Sequence, residues 1–412
     1  MINLKKKFLI YGYGISGKSI ENYFINRNCK YNIFDDFKKI KNTKLISKTY
    51  LLKNLKKYDY FVVSPSIKIK KNHFLYKFKK KILIDLDFLN LEIPYQKIIG
   101  VTGTEGKSSI CLYINEILSK KYNTKIIGNY GNTILDKKNL KNYLSKIDFL
   151  IVELSSYQLD KLRFLRVKYA LITNIYSDHL DYQINQKNYI KSKFRIQKLL
   201  QTNSNLFLSK KTYLKFKNYI KIKNISLFND ISINTNNLNQ YFKAINLNTI
   251  KKLIKVIDTD INFEKLNISK CLKFRNELIY ESKRLNIYND SKCTNLNNAV
   301  NKINLIKSSK KILILGGKLK KQDINFKLNI TDTLVLIFGN YSNSYINYLN
   351  LNNSRYYKFS NLKNLINFLK IIIKFNSYNY ILFSPGGESF DFYKNYIERG
   401  KHFNYLIKNI II

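Results

Sequence analysis

The run Gly100-Val101-Thr102-Gly103-Thr104-Glu105-Gly106-Lys107-Ser108-Ser109 constrains this chain more than any other stretch. It follows Lys97-Ile98-Ile99, which reads as the end of a strand. It precedes Ile110-Cys111-Leu112-Tyr113-Ile114, which opens a helix reaching to about Ser119. Strand, glycine loop and helix are the context a phosphate-binding loop requires. Glycines turn backbone N–H groups inward, and the helix N-terminus adds partial positive charge. In such a loop Lys107 reaches the terminal phosphates of a nucleotide and Ser108 holds Mg²⁺. The spacing is unusual, because Gly100 lies one residue further from Gly106 than the common pattern allows.

The rest of the chain alternates strand and helix signals. Phe8–Tyr11 reads as a strand leading into Gly12-Tyr13-Gly14-Ile15-Ser16-Gly17 and a helix from about Lys18. Further strands are Tyr31–Phe34, Tyr60–Val63 and Ile82–Ile84, then Phe149–Val152 and Ala170–Thr173. Three more, Ile312–Leu315, Leu334–Ile337 and Tyr380–Phe383, each run into turn residues. The expected fold class is α/β in three domains. These are a Rossmann-like segment over 1–93, a P-loop ATPase-type segment over 94–271 and a second Rossmann-like segment over 272–412. Asn224 to Asn248 is Asn-rich and the hardest stretch to assign.

Composition narrows the class of function. A net charge of +46 over 412 residues invites a nucleic-acid reading. The lysines, however, are spread along the whole chain. Alanine occurs only at Ala170, Ala244 and Ala299, while Lys, Asn, Ile, Tyr and Phe abound, as AT-biased codon usage produces. The charge therefore calls for no polyanionic partner, and no specific nucleic acid is expected. Cys29, Cys111, Cys271 and Cys293 have no metal or redox spacing and read as reduced thiols. No apolar run approaches the roughly 20 residues of a membrane span. The apolar stretch at Phe8–Ile10 is too short for a signal-peptide core, so a cytoplasmic protein without membrane insertion is expected.

In open α/β sheets, functional groups gather at the carboxyl ends of strands. Glu153 and the Asp178-His179-Leu180-Asp181 run occupy such positions and suit either Mg²⁺ ligation or the hydrogen-bonded support of Mg²⁺ ligands. Gln186 to Leu200 has helical spacing, which puts Tyr189, Lys193, Ile196 and Leu200 on one face. A lysine placed there either snorkels to solvent or is desolvated and reactive as a free amine. Spacing alone favours snorkelling. Asp35-Asp36 lies about 20 residues beyond the first glycine loop, as a nucleotide or diphosphate ligand requires. Asn289-Asp290-Ser291-Lys292, Gly316-Gly317-Lys318 and Ser384 through Asp391 form three polar strand-end loops that suggest a ligand face.

Together these motifs resemble the Mur ligase family, ATP-dependent amide-forming enzymes of peptidoglycan synthesis. The phosphate loop is similar to the family's Gly-x-Thr-Gly-Thr-x-Gly-Lys-Ser, including its long glycine offset. Glu153-Leu154-Ser155-Ser156-Tyr157-Gln158-Leu159, Gly128-Asn129-Tyr130-Gly131 and Asn289 through Asn295 resemble motifs of the branch that adds D-glutamate to UDP-N-acetylmuramoyl-L-alanine. Ser389-Phe390-Asp391 through Glu398-Arg399-Gly400 is similar to its carboxy-terminal signature.

The resemblance implies roles. ATP would meet Gly103, Thr104, Gly106, Lys107, Ser108 and Ser109, with Arg275, Asp290 and Lys292 from the third segment. Ser108 and Glu153 would hold one Mg²⁺; His179 and a carbamylated Lys193 would hold a second. Lys107, His179 and Lys193 are the implied catalytic set. Gly14, Ile15, Ser16, Asp35, Ser64, Asn129, Ser155 and Gln158 would bind the UDP substrate. Thr294, Lys320, Ser389 and Tyr396 would surround D-glutamate, and the implied state is a monomer.

Departures from the family pattern are Glu105 for Asn or Lys, Ser66 for a glycine, and Gly386-Gly387-Glu388 for small apolar residues. The family's His-Asn-x-x-Asn helix start is barely visible near Asn236 to Gln240. Other readings are a sister amino-acid ligase or a folylpolyglutamate synthase-like enzyme, a nucleic-acid-binding protein and an oxidoreductase. Amino-acid dependence of phosphate release, salt-resistant heparin binding and nicotinamide binding tell them apart.

Overall fold

The computed structural model describes residues 2–37, 41–175, 186–233, 235, 237–263, 266, 272–308, 310–319, 327–375 and 378–411. Each expected segment carries its own sheet. In the first, β1 (Lys7–Tyr11), β2 (Lys30–Phe34), β3 (Tyr60–Val63) and β4 (Ile82–Leu83) lie in the order β2-β1-β3-β4, all parallel. The second has β5 (Ile98–Thr102), β6 (Thr124–Gly128), β7 (Phe149–Glu153), β8 (Val167–Ile172), β9 (Leu200–Ser209) and β10 (Ile225–Phe228). They form a parallel sheet in the order β10-β9-β8-β5-β7-β6. The third uses β11 (Glu277–Glu281), β12 (Asn286–Asn289), β13 (Lys311–Gly316), β15 (Thr333–Phe338), β17 (Arg355–Phe359) and β18 (Tyr380–Gly386) in the order β11-β12-β18-β13-β15-β17. Only β11 is antiparallel to its neighbour there. β14 (Leu328–Thr331) and β16 (Leu349–Asn352) pair separately.

The helices are α1 (Ile15–Asn26), α2 (Lys48–Asn54), α3 (Lys107–Leu118), α4 (Leu140–Ser145), α5 (Ser156–Lys161), α6 (Gln186–Phe194), α7 (Lys210–Phe216) and α8 (Leu238–Ile257). They continue with α9 (Leu296–Leu305), α10 (Ser342–Ile346), α11 (Leu362–Phe375) and α12 (Tyr396–Ile411). Strands covered on both faces need continuous apolar runs rather than alternation. β5, β13 and β15 meet that demand, with every residue buried.

Contacts divide the chain into two compact units, residues 1–230 with 246–268, and residues 231–245 with 269–412. Within the first unit the two sheets share one apolar cluster that runs from Phe8, Phe24 and Phe88 to Leu150, Val167 and Ile196. Polar bonds cross the same seam. The buried Asp87 carboxylate accepts the backbone N–H groups of Arg163 (2.8 Å) and Phe164 (2.7 Å) as well as that of Ile84 (2.9 Å). Leu165 N–H adds a longer contact at 3.4 Å. Lys161 Nζ donates to the carbonyl of Pro65 at 2.6 Å.

Three expectations are revised. The strand before the phosphate loop does not stop at Ile99 but continues through Gly100 to Thr102, and α3 starts at Lys107. The helix expected over Gln186 to Leu200 is α only to Phe194. It then tightens to a 3₁₀ turn over Arg195–Leu199, because Leu200 already belongs to β9. The Asn-rich stretch contains β10 and the first half of α8.

Candidate active site

β5 sits at the centre of its sheet, with β7 on one side and β8 on the other. A crevice opens outside the strand ends where neighbouring connections part in opposite directions. The loop Gly103-Thr104-Glu105-Gly106 occupies that point. Its two glycines have φ of +151° and +73°, values that other residues rarely adopt. A Cβ on Gly103 would lie 1.9 Å from Thr173 Oγ1, so space as well as backbone requires glycine. Gly100 is different. It is a strand residue, and its missing side chain faces Leu154, Val167 and Ile196. The long glycine offset therefore spans a strand end plus a loop of ordinary size.

The end of β8 fixes the loop tip. Thr104 N–H donates to the Asn174 carbonyl at 3.0 Å and Glu105 N–H to Asn174 Oδ1 at 2.9 Å. Thr173 Oγ1 donates back to the Glu105 carbonyl at 2.7 Å. Neither Thr173 nor Asn174 was expected from sequence. A Thr-Asn pair at a strand end was the available signal.

The phosphate-loop side chains converge. Lys107 Nζ donates to the carbonyls of Gly103 and Thr104, both at 2.8 Å. Ser108 Oγ donates to Glu153 Oε2 at 2.5 Å, and Asn129 Nδ2 donates to Glu153 Oε1 at 2.7 Å. Lys193 is 1% exposed, and its Nζ donates to the same Gly103 carbonyl at 2.8 Å. Snorkelling is thereby ruled out, since the amine turns inward to the loop and not out to water. Tyr189, one turn earlier on α6, donates its hydroxyl to Thr104 Oγ1 at 3.1 Å, and its ring lies 5.2 Å from Lys193 Nζ. Lys187, Lys191 and Lys198 are exposed, as the helical face predicts. His179, together with Asp178 and Asp181, lies outside the described residues, as do Lys320 and Asn236.

At the first sheet, Gly14 caps α1, and Tyr13 N–H donates to Asp35 Oδ2 at 2.6 Å. Ile15 is 80% exposed beside Ser16. Ser64 N–H donates to the Tyr11 carbonyl at 2.8 Å, and its hydroxyl lies 3.3 Å from that of Ser66. Ser155 and Gln158 satisfy each other as the capping box of α5. Ser155 N–H donates to Gln158 Oε1 at 2.8 Å, and Gln158 N–H donates to Ser155 Oγ at 3.3 Å.

In the second unit Asp290, Lys292 and Thr294 follow β12, Ser389 follows β18 and Tyr396 starts α12, while Arg275 precedes β11. Asp290 is 2% exposed and held from three sides, by Lys302 Nζ at 2.6 Å, Ser384 Oγ at 2.9 Å and Asn276 N–H at 3.2 Å. Its role in shaping this loop, and the Lys302 partner on α9, were not visible in the sequence. Lys292 Nζ stands 3.9 Å over the Tyr396 ring. Thr294 and Arg275 are partly buried, and Ser389 is buried. Among the described residues no three or more His, Cys, Asp or Glu side chains form a metal cluster.

Residues 101–272 match the Mur ligase middle domain. A UDP-N-acetylmuramoylalanine–D-glutamate ligase of Francisella philomiragia is 29% identical over 425 residues, covering 98% of this chain and 97% of that protein. One from Fervidobacterium nodosum is 28% identical over 326 residues, 76% of this chain and 75% of that protein. Among solved structures, MurF ligase from Thermotoga maritima in complex with ADP has a TM-score of 0.59 at 13% identity, covering 99% of this chain and 98% of that one. A pseudomurein peptide ligase type C from Methanothermus fervidus has a TM-score of 0.55 at 14% identity, covering 98% and 100%. These two likenesses are of fold. The chain is thus similar through its middle segment to that domain, and along nearly its whole length to the Francisella D-glutamate ligase.

Proposed function

We propose that this chain is an ATP-dependent ligase that joins D-glutamate to UDP-N-acetylmuramoyl-L-alanine during peptidoglycan precursor synthesis. The near full-length match to D-glutamate ligases carries the reading. The arrangement of Lys107, Ser108, Glu153 and Lys193 around one loop supplies its chemistry.

The alanyl carboxylate of the substrate is a poor electrophile. One of its oxygens attacks the γ-phosphorus of ATP, the bond to the ADP oxygen breaks, and an acyl phosphate results. The neutral amine of D-glutamate then attacks the acyl carbon. The tetrahedral adduct expels phosphate, and the new amide nitrogen gives up a proton. The protein's task is placement and charge compensation. Loop N–H groups and the start of α3 receive the phosphates. Lys107, now bonded to two loop carbonyls, exchanges them for phosphate oxygens.

Ser108 and Glu153 are hard oxygen donors in contact, a set suited to Mg²⁺. When bound there, Mg²⁺ offsets phosphate charge. His179 and a carbamylated Lys193 would hold a second ion. A buried amine that reacts with CO₂ becomes an anionic ligand without a new side chain. ¹³C-bicarbonate should give one carbamate resonance that Lys193→Ala abolishes; two unchanged spectra would refute it.

Segment 1–93 would bind the UDP moiety through Gly14, Ile15, Ser16, Asp35 and Ser64, with Asn129, Ser155 and Gln158 from segment 94–271. Segment 272–412 would bring Arg275, Asp290 and Lys292 to ATP, and Thr294, Lys320, Ser389 and Tyr396 to D-glutamate. The enzyme would work as a cytoplasmic monomer and support cell shape and division. Among the described residues no helix is long and apolar enough to cross a membrane.

Phosphate release from ATP and UDP-N-acetylmuramoyl-L-alanine, with and without D-glutamate, tests the reading. D-glutamate should raise it strongly, L-lysine and L-alanine should not, and equal stimulation by all three would sink it. Lys107→Ala should lower turnover by at least about 10³-fold, as loss of a principal phosphate contact does.

A further inference from the structure

Two strand-end loops of the third sheet are tied together by groups to which the proposed reaction assigns no role. After β13, Gly317 and Lys318 run beside Gly387 and Glu388, which follow β18. Lys318 N–H donates to the Glu388 carbonyl and Glu388 N–H to the Lys318 carbonyl, both at 2.8 Å. Tyr345, on α10, is fully buried, and its hydroxyl reaches across this pair. It lies 3.1 Å from the Gly317 carbonyl oxygen and 3.0 Å from that of Pro385. One proton thus serves two acceptors, one on the loop after β13 and one at the end of β18. Arg399, also fully buried, closes the other side by donating from Nη1 to the Gly387 carbonyl at 3.0 Å and from Nη2 to the Ser291 carbonyl at 2.7 Å.

The glycine at 387 belongs to this arrangement. A Cβ there would lie 2.3 Å from the Tyr345 hydroxyl oxygen and 2.9–3.0 Å from the Gly317 carbonyl group. The hydroxyl occupies the volume a side chain at 387 would need. Gly386-Gly387-Glu388 is where the chain departs from the small apolar residues of the Mur ligase pattern it resembles, so the departure has a local partner.

We propose that Tyr345 is a positioning residue for the amino-acid substrate. Paired with Gly387, its hydroxyl sets the spacing between the loop after β13 and the loop after β18 that leads to Ser389. The inference rests on the reading of Ser389 as part of the D-glutamate site. Its physical core does not, because a buried hydroxyl bonded to one loop and to the strand end from which the other departs fixes their separation whatever ligand they hold.

The test has a substrate-free arm and a kinetic arm. Tyr345→Phe keeps the ring and removes only the hydroxyl. In the ligand-free full-length protein, exchange of the Lys318 and Glu388 amide hydrogens should quicken about tenfold, the equivalent of one lost hydrogen bond. Unchanged exchange overturns the proposal. In phosphate-release assays the same variant should raise the KM for D-glutamate about five- to tenfold while leaving the KM for UDP-N-acetylmuramoyl-L-alanine unchanged. A lower Tm with an unaltered KM for D-glutamate marks a purely structural tyrosine and also overturns it. Gly387→Ala should weaken D-glutamate use, and adding Tyr345→Phe should give less than the sum of the two losses. Full additivity would reject the pairing. If the wild-type enzyme shows no D-glutamate-dependent release, the functional reading fails while the exchange result still decides the latch.

Discussion

Two lysines share one carbonyl at the phosphate loop. Lys107 and Lys193 both donate to Gly103, one from the loop's own helix and one from α6. The glycine loop pointed to Lys107 and the Mur ligase resemblance to Lys193, whereas the helical face with Tyr189 and Ile196 put Lys193 only toward apolar neighbours. That face favoured a snorkelling amine over a buried one, although the Cα–Cβ direction is the same in both and cannot separate them. Asp87 was not legible at all. Its environment is made by backbone N–H groups of residues 163–165, far away in the chain, which no local pattern encodes. Burial pushes its carboxyl up from the ordinary range to about 6, against the pull of those N–H groups. A raised folded-state value favours the protonated form, so the contribution is present in full below about pH 4 and is lost as pH rises through about 6. The stability difference between wild type and Asp87→Ala should be larger at pH 4.5 than at pH 7.5 by about 2 kcal/mol, read from urea unfolding at the two values. An equal difference would show that Asp87 is ionised throughout.

At the scale of elements, strands were the most readable feature, because parallel strands covered on both faces leave unbroken apolar runs such as β13 and β15. The loop was misparsed by three residues, since a glycine reads as a turn whether or not it lies in a strand. The structure separates the two cases, and so would a pair of variants. Gly100→Ala adds a methyl at ordinary contact distance, 3.4–3.7 Å from apolar side chains, and should keep most activity. Gly103→Ala drives a Cβ into Thr173 at a backbone conformation alanine disfavours, and should lower ATP-dependent turnover by at least about 100-fold. Similar losses in both variants would contradict the strand assignment of Gly100. α8 escaped the sequence for another reason. Leu238 and Phe242 pack into one core, while Ile250, Leu253 and Ile254 pack into another. A helix divided in this way, and rich in Asn, shows no continuous apolar stripe.

For the molecule as a whole, +46 charges repel one another in the folded state. Raising NaCl from about 25 mM to about 300 mM shortens the screening length from roughly 20 Å to below 6 Å, so Tm should rise with salt. A Tm that falls over this range would mean that attractive ion pairs outweigh the repulsion.

The apolar cluster shared by the first two sheets bears on how such a chain can be inherited. A stretch ending near Pro94 carries its own sheet and its own glycine loop, yet it shares its core with the second sheet. Cut there, Asp87 would lose the Arg163 and Phe164 amides, and Phe8, Phe24 and Phe88 would lose part of their cover. The unit that recombination can exchange without penalty is therefore larger than the unit that forms one sheet. Chimeras that swap the first two sheets together should fold, whereas grafts of the first sheet alone should need matching changes across the seam.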